Sequence, residues 1–79
     1  MWVGAVVQSK AGRDRYRLYI IIGETQDGRA LIANGRLHTL ERPKKKNLRH
    51  LTVLSGGAEK VPDTDDAVYA YLQDFENRA

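Results

Sequence analysis

The sequence predicts a mainly β protein, a small five-stranded barrel followed by a C-terminal α-helix. Three observations support this prediction: short apolar runs rich in β-branched residues, glycine-containing turn signals between them, and helical spacing of apolar residues near the C-terminus. The 79 residues leave room for one small core. With 42% hydrophobic and 29% charged residues, the composition is that of an ordinary globular domain.

Five segments are predicted to be strands. The strongest signal is residues 16–22, where β-branched and aromatic side chains follow one another. The Asp-Gly pair at 27–28 and the Asn-Gly pair at 34–35 favour tight hairpin turns. Residues 37–41 alternate apolar and polar side chains, as a half-buried strand does. The five predicted strands are residues 2–9, 16–22, 30–33, 37–41 and 51–54.

The last segment of the chain is predicted to be helical, from about residue 65 to 77. Thr64 or Asp63 would cap its start, where acidic residues suit the positive end of the helix dipole. We therefore divide the chain into the barrel, residues 1–57, and an acidic linker with the helix, residues 58–79, in the same domain or appended to it. The apolar stripe that would pack on the barrel or on a second copy consists of Val68, Tyr71, Leu72 and Phe75.

Positive charge is concentrated in the first part of the chain. Residues 1–57 contain 11 Lys or Arg against 4 Asp or Glu, whereas residues 58–79 contain 2 against 6. A basic body indicates a polyanionic partner such as RNA, whose phosphates Lys and Arg neutralise. The first basic cluster consists of Lys10, Arg13, Arg15 and Arg17. The second consists of Arg36, Arg42, Lys44, Lys45, Lys46 and Arg49.

The loop around Gly12 is the first candidate for RNA contact. Glycine reaches a positive φ without a steric penalty and lets the backbone come close to a ligand. Arg13, Arg15 and Arg17 are spaced by two, so in an extended stretch all three side chains would point to one side. Asp14 would be repelled by phosphate, and we expect it to turn back and accept hydrogen bonds from loop amides.

The lysine triplet and the aromatic residues complete the candidate surface. Pro43 blocks strand pairing, so residues 44–49 are predicted to form a basic loop from which the lysines at 44–46 project. Tyr16, flanked by arginines, is the best candidate for stacking on a base. His38 is expected to face solvent, and His50 is a candidate for phosphate contact. The aromatic residues expected in the core are Trp2, Tyr19 and Tyr71.

The residues give no sign of catalysis, metal binding or membrane insertion. The chain has no cysteine, which excludes disulfides and cysteine-based zinc sites. No serine has a predictable base partner, and the acidic run at 63–66 lacks the glycine and closing glutamate of a calcium loop. We therefore expect no enzyme activity, no cofactor and no metal. Because no apolar run approaches about 18 residues and the N-terminus does not resemble a secretory signal, we expect a cytoplasmic protein.

Residues 4–21, with the sequence GAVVQSKAGRDRYRLYII, resemble a KOW motif, which is a strand, a glycine-centred basic loop and a second strand. The continuation, ALIANGR at 30–36 and RPKKK at 42–46, is similar to small bacterial KOW-domain RNA-binding proteins. Those proteins in turn resemble large-subunit ribosomal proteins of eukaryotes and archaea. The resemblance covers residues 2–54. It implies an SH3-like barrel that binds ribosomal RNA or the ribosome and acts in translation.

The resemblance also implies which residues contact RNA. At position 16 the family often has glycine, and a tyrosine there would replace backbone contact with stacking on a base. The predicted RNA-binding set is Lys10, Gly12, Arg13, Arg15, Tyr16, Arg17, Lys44, Lys45, Lys46, Arg49 and His50.

Two other functions remain open from the sequence. The first is a protein-docking module in a translation or transcription complex, in which the helix with Tyr69, Tyr71 and Phe75 forms the docking surface and self-association is possible. The second is a structural domain whose basic face has no partner. RNA binding should weaken steeply with salt, whereas apolar docking should be nearly insensitive to it.

Overall fold

Five strands and one helix form the part of the chain that the structure describes, residues 2–56 and 60–78. The structure is a computed structural model. The predicted boundary between residues 57 and 58 lies outside the described residues. In chain order the elements are β1 (Val6–Ser9), β2 (Leu18–Glu24), β3 (Ala30–Ala33), β4 (Lys44–Lys46), a 3₁₀ turn (Leu48–His50), β5 (Leu51–Val53) and α1 (Asp65–Arg78).

The strands form one antiparallel sheet in the order β4-β3-β2-β1-β5. The first four strands follow one another as a meander, and β5 returns to the free side of β1, where Ser9 pairs with Leu51. The predicted number of five strands and the C-terminal helix are confirmed, although the fourth strand lies at Lys44–Lys46 and not at residues 37–41. The predicted closure into a barrel is wrong for the described residues. There β4 and β5 are the two edges, and with three residues each they leave the sheet open.

Both faces of β1 and β2 are buried. Val6 and Ile20 pair across β1 and β2 and face α1, whereas their neighbours Val7 and Tyr19 face the other side of the sheet. Because successive side chains of a strand point to opposite faces, a strand covered on both sides reads as a continuous apolar run. The core cluster on the side away from α1 consists of Ala5, Val7, Tyr19, Ile21, Ala30, Ile32 and Leu51.

Helix α1 packs on the sheet of its own chain. Thr64 caps its start, since its Oγ1 accepts a hydrogen bond from an amide of the first turn at 3.1 Å. Val68 and Leu72 are buried against the sheet, and Tyr71 and Phe75 are half-buried beside them. The predicted helix, its cap and the position of its apolar stripe are therefore confirmed.

The segment after β3 holds the start of α1. Gly35 has a φ of 79° and lies so close to the helix that a Cβ at this position would overlap the carbonyl oxygen of Asp65. The amide of Leu40 donates to Asp65 Oδ1 at 2.8 Å. Arg36 places its guanidinium 4.0 Å from the ring centroid of Tyr69, a cation–π contact. These contacts fix the helix against the sheet at its N-terminal end.

Two of the sequence predictions between residues 34 and 46 are wrong. Residues 37–41 were expected to be a strand but form bends, because the Asn34 side chain accepts hydrogen bonds from the amides of Arg36 and His38 and curls the chain. Residues 44–46 were expected to be a loop but form β4. Pro43 lies just before this edge strand, where its missing N–H breaks no ladder bond.

Tyr19 and Trp2 were both expected in the core, and only Tyr19 is there. Tyr19 is fully buried, as predicted. Trp2 is 60% exposed, contrary to the prediction, because it lies in the turn before β1 and outside the paired part of the sheet. Among the described residues, no helix is long and apolar enough to cross a membrane.

Candidate functional site

The loop between β1 and β2 is a sequence of tight turns. Gly12 has a φ of 82°, and its carbonyl accepts a hydrogen bond from the amide of Arg15 at 3.3 Å. The amide of Arg17 donates to the carbonyl of Asp14 at 3.0 Å. The stretch is therefore not extended, and the alternation that would have put the three arginines on one side does not apply, because the chain turns twice between Gly12 and Arg17. All three arginines of the loop are nevertheless exposed.

Asp14 turns inward and organises this loop. Its side chain is 8% exposed, and each carboxylate oxygen accepts two hydrogen bonds. Oδ1 accepts from the Ser9 hydroxyl at 3.0 Å and from Lys46 Nζ at 3.2 Å. Oδ2 accepts from the Tyr19 hydroxyl at 3.0 Å and from Lys44 Nζ at 3.1 Å. The expected inward turn is confirmed, but the donors are side chains and not the loop amides that we expected.

The charge of Asp14 is stabilised by these donors. Burial alone would raise the pKa of Asp14, but the hydrogen bonds from Lys44, Lys46, Ser9 and Tyr19 outweigh it and hold the pKa well below its usual range. Burial and the adjacent carboxylate raise the pKa of Tyr19 to about 12, so its hydroxyl stays protonated and keeps donating. Asp14 is therefore an anion at neutral pH, inside a cationic cluster.

The three lysines of β4 point to two different faces of the strand, because successive side chains alternate. Lys44 and Lys46 lie on the same face of β4 and point to Asp14, and their side chains are 33% and 12% exposed. Lys46 Nζ also donates to the carbonyl of Ala11 at 3.3 Å. Lys45 projects from the opposite face and is exposed. The prediction of three projecting lysines is wrong for Lys44 and Lys46, which hold the loop in place.

The fold brings the two basic clusters of the sequence together. The amide of Lys10 donates to the carbonyl of His50 at 3.0 Å, which places the β1–β2 loop beside the 3₁₀ turn that carries Arg49. His50 itself is half-buried. We call the exposed basic residues on these two segments the basic surface: Lys10, Arg13, Arg15, Arg17 and Arg49.

A depression of about 360 Å³ opens between this loop and β4. Its cationic lining residues are Arg13, Arg17, Lys44 and Lys46, against the single carboxylate of Asp14. An excess of cations at a concave site attracts anions such as phosphate. The remaining lining residues are Gly12, Tyr19 and His38.

His38 does not face solvent as expected. It is half-buried, and its ring centroid lies 6.0 Å from that of Tyr19. Burial, followed by the positive charge of Lys44, lowers the pKa of His38, which favours the neutral imidazole. His38 is therefore part of the wall of the depression and adds no charge to it near neutral pH.

Tyr16 occupies an unusual position in the loop. Among residues 2–56 and 60–78, it is the one residue other than glycine with a positive φ, 74°. The residue is 70% exposed. The left-handed region disfavours a residue with a Cβ, and a bulky side chain there is an outlier. The backbone conformation is thus the one that a glycine would adopt, although the sequence places a tyrosine here.

The role of Asp14 as the centre of the site was missed from the sequence. The alternation of side chains in a strand could have indicated this role, because it places Lys44 and Lys46 on the same side of β4. Within the described ranges, no three His, Asp or Glu side chains lie together as metal ligands would. Comparison of the chain with protein-family models and with curated proteins gave no match.

Proposed function

We propose that this chain is an RNA-binding domain of the KOW type that holds structured RNA by its phosphate backbone. The observation that carries the proposal is that two lysines of β4 are paired with Asp14, whereas, among the described residues, the arginines beside it are not. Its two oxygens are occupied by Lys44 and Lys46. In the part of the chain that the structure describes, the neighbouring Arg13 and Arg15 form no ion pair. Their charges are therefore available to an external polyanion.

The type of residue on the basic surface supports a phosphate ligand. Arginine can hold a phosphate through two parallel hydrogen bonds, and Arg13, Arg15 and Arg17 lie on a loop whose shape is fixed from within. Both ends of the loop are tied, since the amide of Tyr16 donates to the carbonyl of Ser9 at 2.7 Å. A preformed cationic loop loses little conformational freedom on binding, which favours affinity.

The SH3-like type of the fold belongs to the same proposal. Its support is the presence of five short antiparallel strands in one sheet, with β5 returning to pair with β1. The positive φ of Gly12 supports the glycine-centred loop of a KOW motif. From the resemblance we propose ribosomal RNA, or RNA on the ribosome, as the ligand, with a role in translation in the bacterial cytoplasm.

The test is a pair of variants that remove equal charge. Arg13→Ala with Arg15→Ala removes two phosphate contacts, so affinity for a labelled RNA hairpin should fall at least about tenfold, independently of sequence. The slope of log K against log salt should flatten by about 1.4–1.8 units. The control is Arg29→Ala with Arg42→Ala, which removes the same charge away from the loop. The melting temperature of both variants should stay nearly unchanged.

The proposal fails if the Arg13 and Arg15 variant binds both the hairpin and purified ribosomes as the wild type does. A protein-docking function would then take its place, and the exposed Trp2 and Val3, 60% and 48% exposed, favour it as the second candidate. Docking through these residues would be nearly independent of salt. Self-association through α1 would have to use its outer face, since Val68 and Leu72 are buried within the chain.

A further inference from the structure

A second concave site lies beside the basic surface, between the β1–β2 loop and helix α1. It is a groove of about 360 Å³, at the small end of the range of about 300–1,000 Å³ for sites that hold small organic groups. Tyr16 and Leu37 line it and are 70% and 68% exposed. Tyr69 and Leu72 of α1 also line it. The groove therefore presents aromatic and aliphatic side chains to solvent.

The groove also carries polar groups suited to a ring with a polar edge. Asn34, Gln73 and Glu76 contribute amide and carboxylate groups to its lining. A nucleobase has two flat apolar faces and an edge of hydrogen-bond donors and acceptors. Aromatic side chains stack on those faces whatever the base, and amides and carboxylates pair with the edge. The chemistry of the groove matches such a ligand better than a purely apolar one.

Charge links this groove to the phosphate-binding side of the protein. Arg17 lines both the groove and the basic depression beside Asp14. A nucleotide with its phosphate near Arg17 would therefore have its base within reach of the groove. Duplex RNA keeps its bases stacked inside the helix, so only an unpaired nucleotide could use both sites.

The backbone of Tyr16 is the second, independent observation. A positive φ is unfavourable for tyrosine, and strained backbone conformations cluster at ligand sites. A glycine would adopt the same conformation without strain. Because Tyr16 is 70% exposed, packing within the chain does not explain why a tyrosine stands here. A ligand that stacks on the ring would explain it.

We propose that the groove between Tyr16, Leu37 and helix α1 receives one unpaired nucleobase of the bound RNA, stacked on the ring of Tyr16. The inference rests on the proposed RNA-binding function and deepens it. It assigns helix α1 a part in recognition, through Tyr69, and it makes single-stranded or looped segments the preferred ligand over a continuous duplex.

The test uses Tyr16→Gly, which removes the ring and relieves the positive φ, so that the fold is retained. The probes are an oligouridylate and a duplex RNA with the same number of phosphates. Affinity of Tyr16→Gly for the oligouridylate should fall about tenfold, and affinity for the duplex should stay within about twofold. The matched control is Tyr16→Phe, which keeps the ring and should bind both probes as the wild type does.

A second pair of variants tests the groove separately from the loop. Leu37→Ala should weaken oligouridylate binding, whereas Leu48→Ala, at an exposed leucine outside the groove, should not. A 2-aminopurine placed within the single strand should lose fluorescence on binding to the wild type and much less on binding to Tyr16→Gly, since stacking on an aromatic ring quenches it.

Three results would overturn the inference. Equal weakening of both probes by Tyr16→Gly would mean that Tyr16 shapes the loop and does not stack. Unchanged binding of the single strand by both Tyr16→Gly and Leu37→Ala would remove the groove from the site while RNA binding itself stands. Failure of the wild type to bind either probe would instead reject the proposed function, and the groove inference with it.

Discussion

Asp14 Oδ1 and Lys46 Nζ lie 3.2 Å apart, although the two residues are 32 positions apart in the sequence. This contact ties the β1–β2 loop to the edge strand β4. It is largely removed from water, since the two side chains are 8% and 12% exposed. The same carboxylate group holds Lys44 through its other oxygen. The shape of the basic surface therefore depends on a residue of opposite charge.

We expect Asp14→Ala to lower the free energy of unfolding by about 2–4 kcal/mol, because it leaves two partly buried ammonium groups and two hydroxyls without their acceptor. Denaturant titration would measure the loss. The control is Asp27→Ala, which removes an exposed carboxylate from the β2–β3 hairpin and should leave the denaturation midpoint nearly unchanged. Equal midpoints for the two variants would contradict the structural role of Asp14.

Stability should fall in acid because of Asp14. Its pKa is lower in the folded protein than in the unfolded chain, where an aspartate titrates at about 3.9. The unfolded chain therefore binds more protons, so the stabilisation is present above about pH 4 and decreases as the pH falls towards the folded pKa.

Denaturation midpoints measured from pH 7 to pH 2.5 test this dependence. The variant Asp14→Asn cannot titrate, and its stability should vary less with pH below about pH 4 than that of the wild type. His38 also makes the folded protein more stable as the pH rises, but at higher pH than Asp14 does. The reason is that its lowered pKa disfavours the protonated imidazole in the folded state. Parallel curves for wild type and Asp14→Asn below pH 4 would argue against the inferred ionisation.

Neighbouring lysines of β4 should have different roles. Lys45→Gln should leave stability unchanged and reduce RNA affinity by about two- to fivefold, because one exposed charge is lost. Lys46→Gln should instead lower the free energy of unfolding by about 1–3 kcal/mol, because Asp14 loses a buried donor. Thermal melts and binding isotherms of the two variants separate these effects. A larger loss of stability in Lys45→Gln than in Lys46→Gln would show that the strand register is wrong.

Two glycines with the same backbone conformation should differ sharply in their tolerance of alanine. Gly28 has a φ of 87° and nothing within 4 Å of an added Cβ, so Gly28→Ala should cost only the conformational strain, about 1–2 kcal/mol. Gly35→Ala adds an overlap with the backbone of α1, so its loss should exceed that of Gly28→Ala by several-fold. Circular dichroism and denaturant titration would measure both. Similar losses would mean that α1 does not press on Gly35.

Local signals predicted the regular elements well. Strand β3 at residues 30–33 and the start of α1 at residue 65 agree with the prediction, because β-branched runs, caps and apolar spacing act within a few residues. Residues 44–46 were mistaken for a loop, because Pro43 was interpreted as ending a strand when it precedes one. The sequence signal for an edge strand of three residues is too short to separate these cases.

The candidate site was only half predictable. The positive φ of Gly12 and the exposure of the arginines followed from the loop sequence. The ion pairs of Asp14 did not, because they depend on which residues of β4 face the loop, and that is set by pairing with β3. The groove beside Tyr16 needs the position of α1 on the sheet, which no local pattern contains.

The cover that α1 provides over Val6 and Ile20 has a consequence for synthesis of the chain. Strand β1 pairs along one edge with β5, residues 51–53. Its helix-facing side is covered by Val68 and Leu72. A nascent chain therefore keeps an apolar face of β1 and β2 uncovered until Val68 and Leu72 have left the ribosome. Such a face attracts chaperones and proteases, so translation products that stop before α1 should be degraded faster than products that include it.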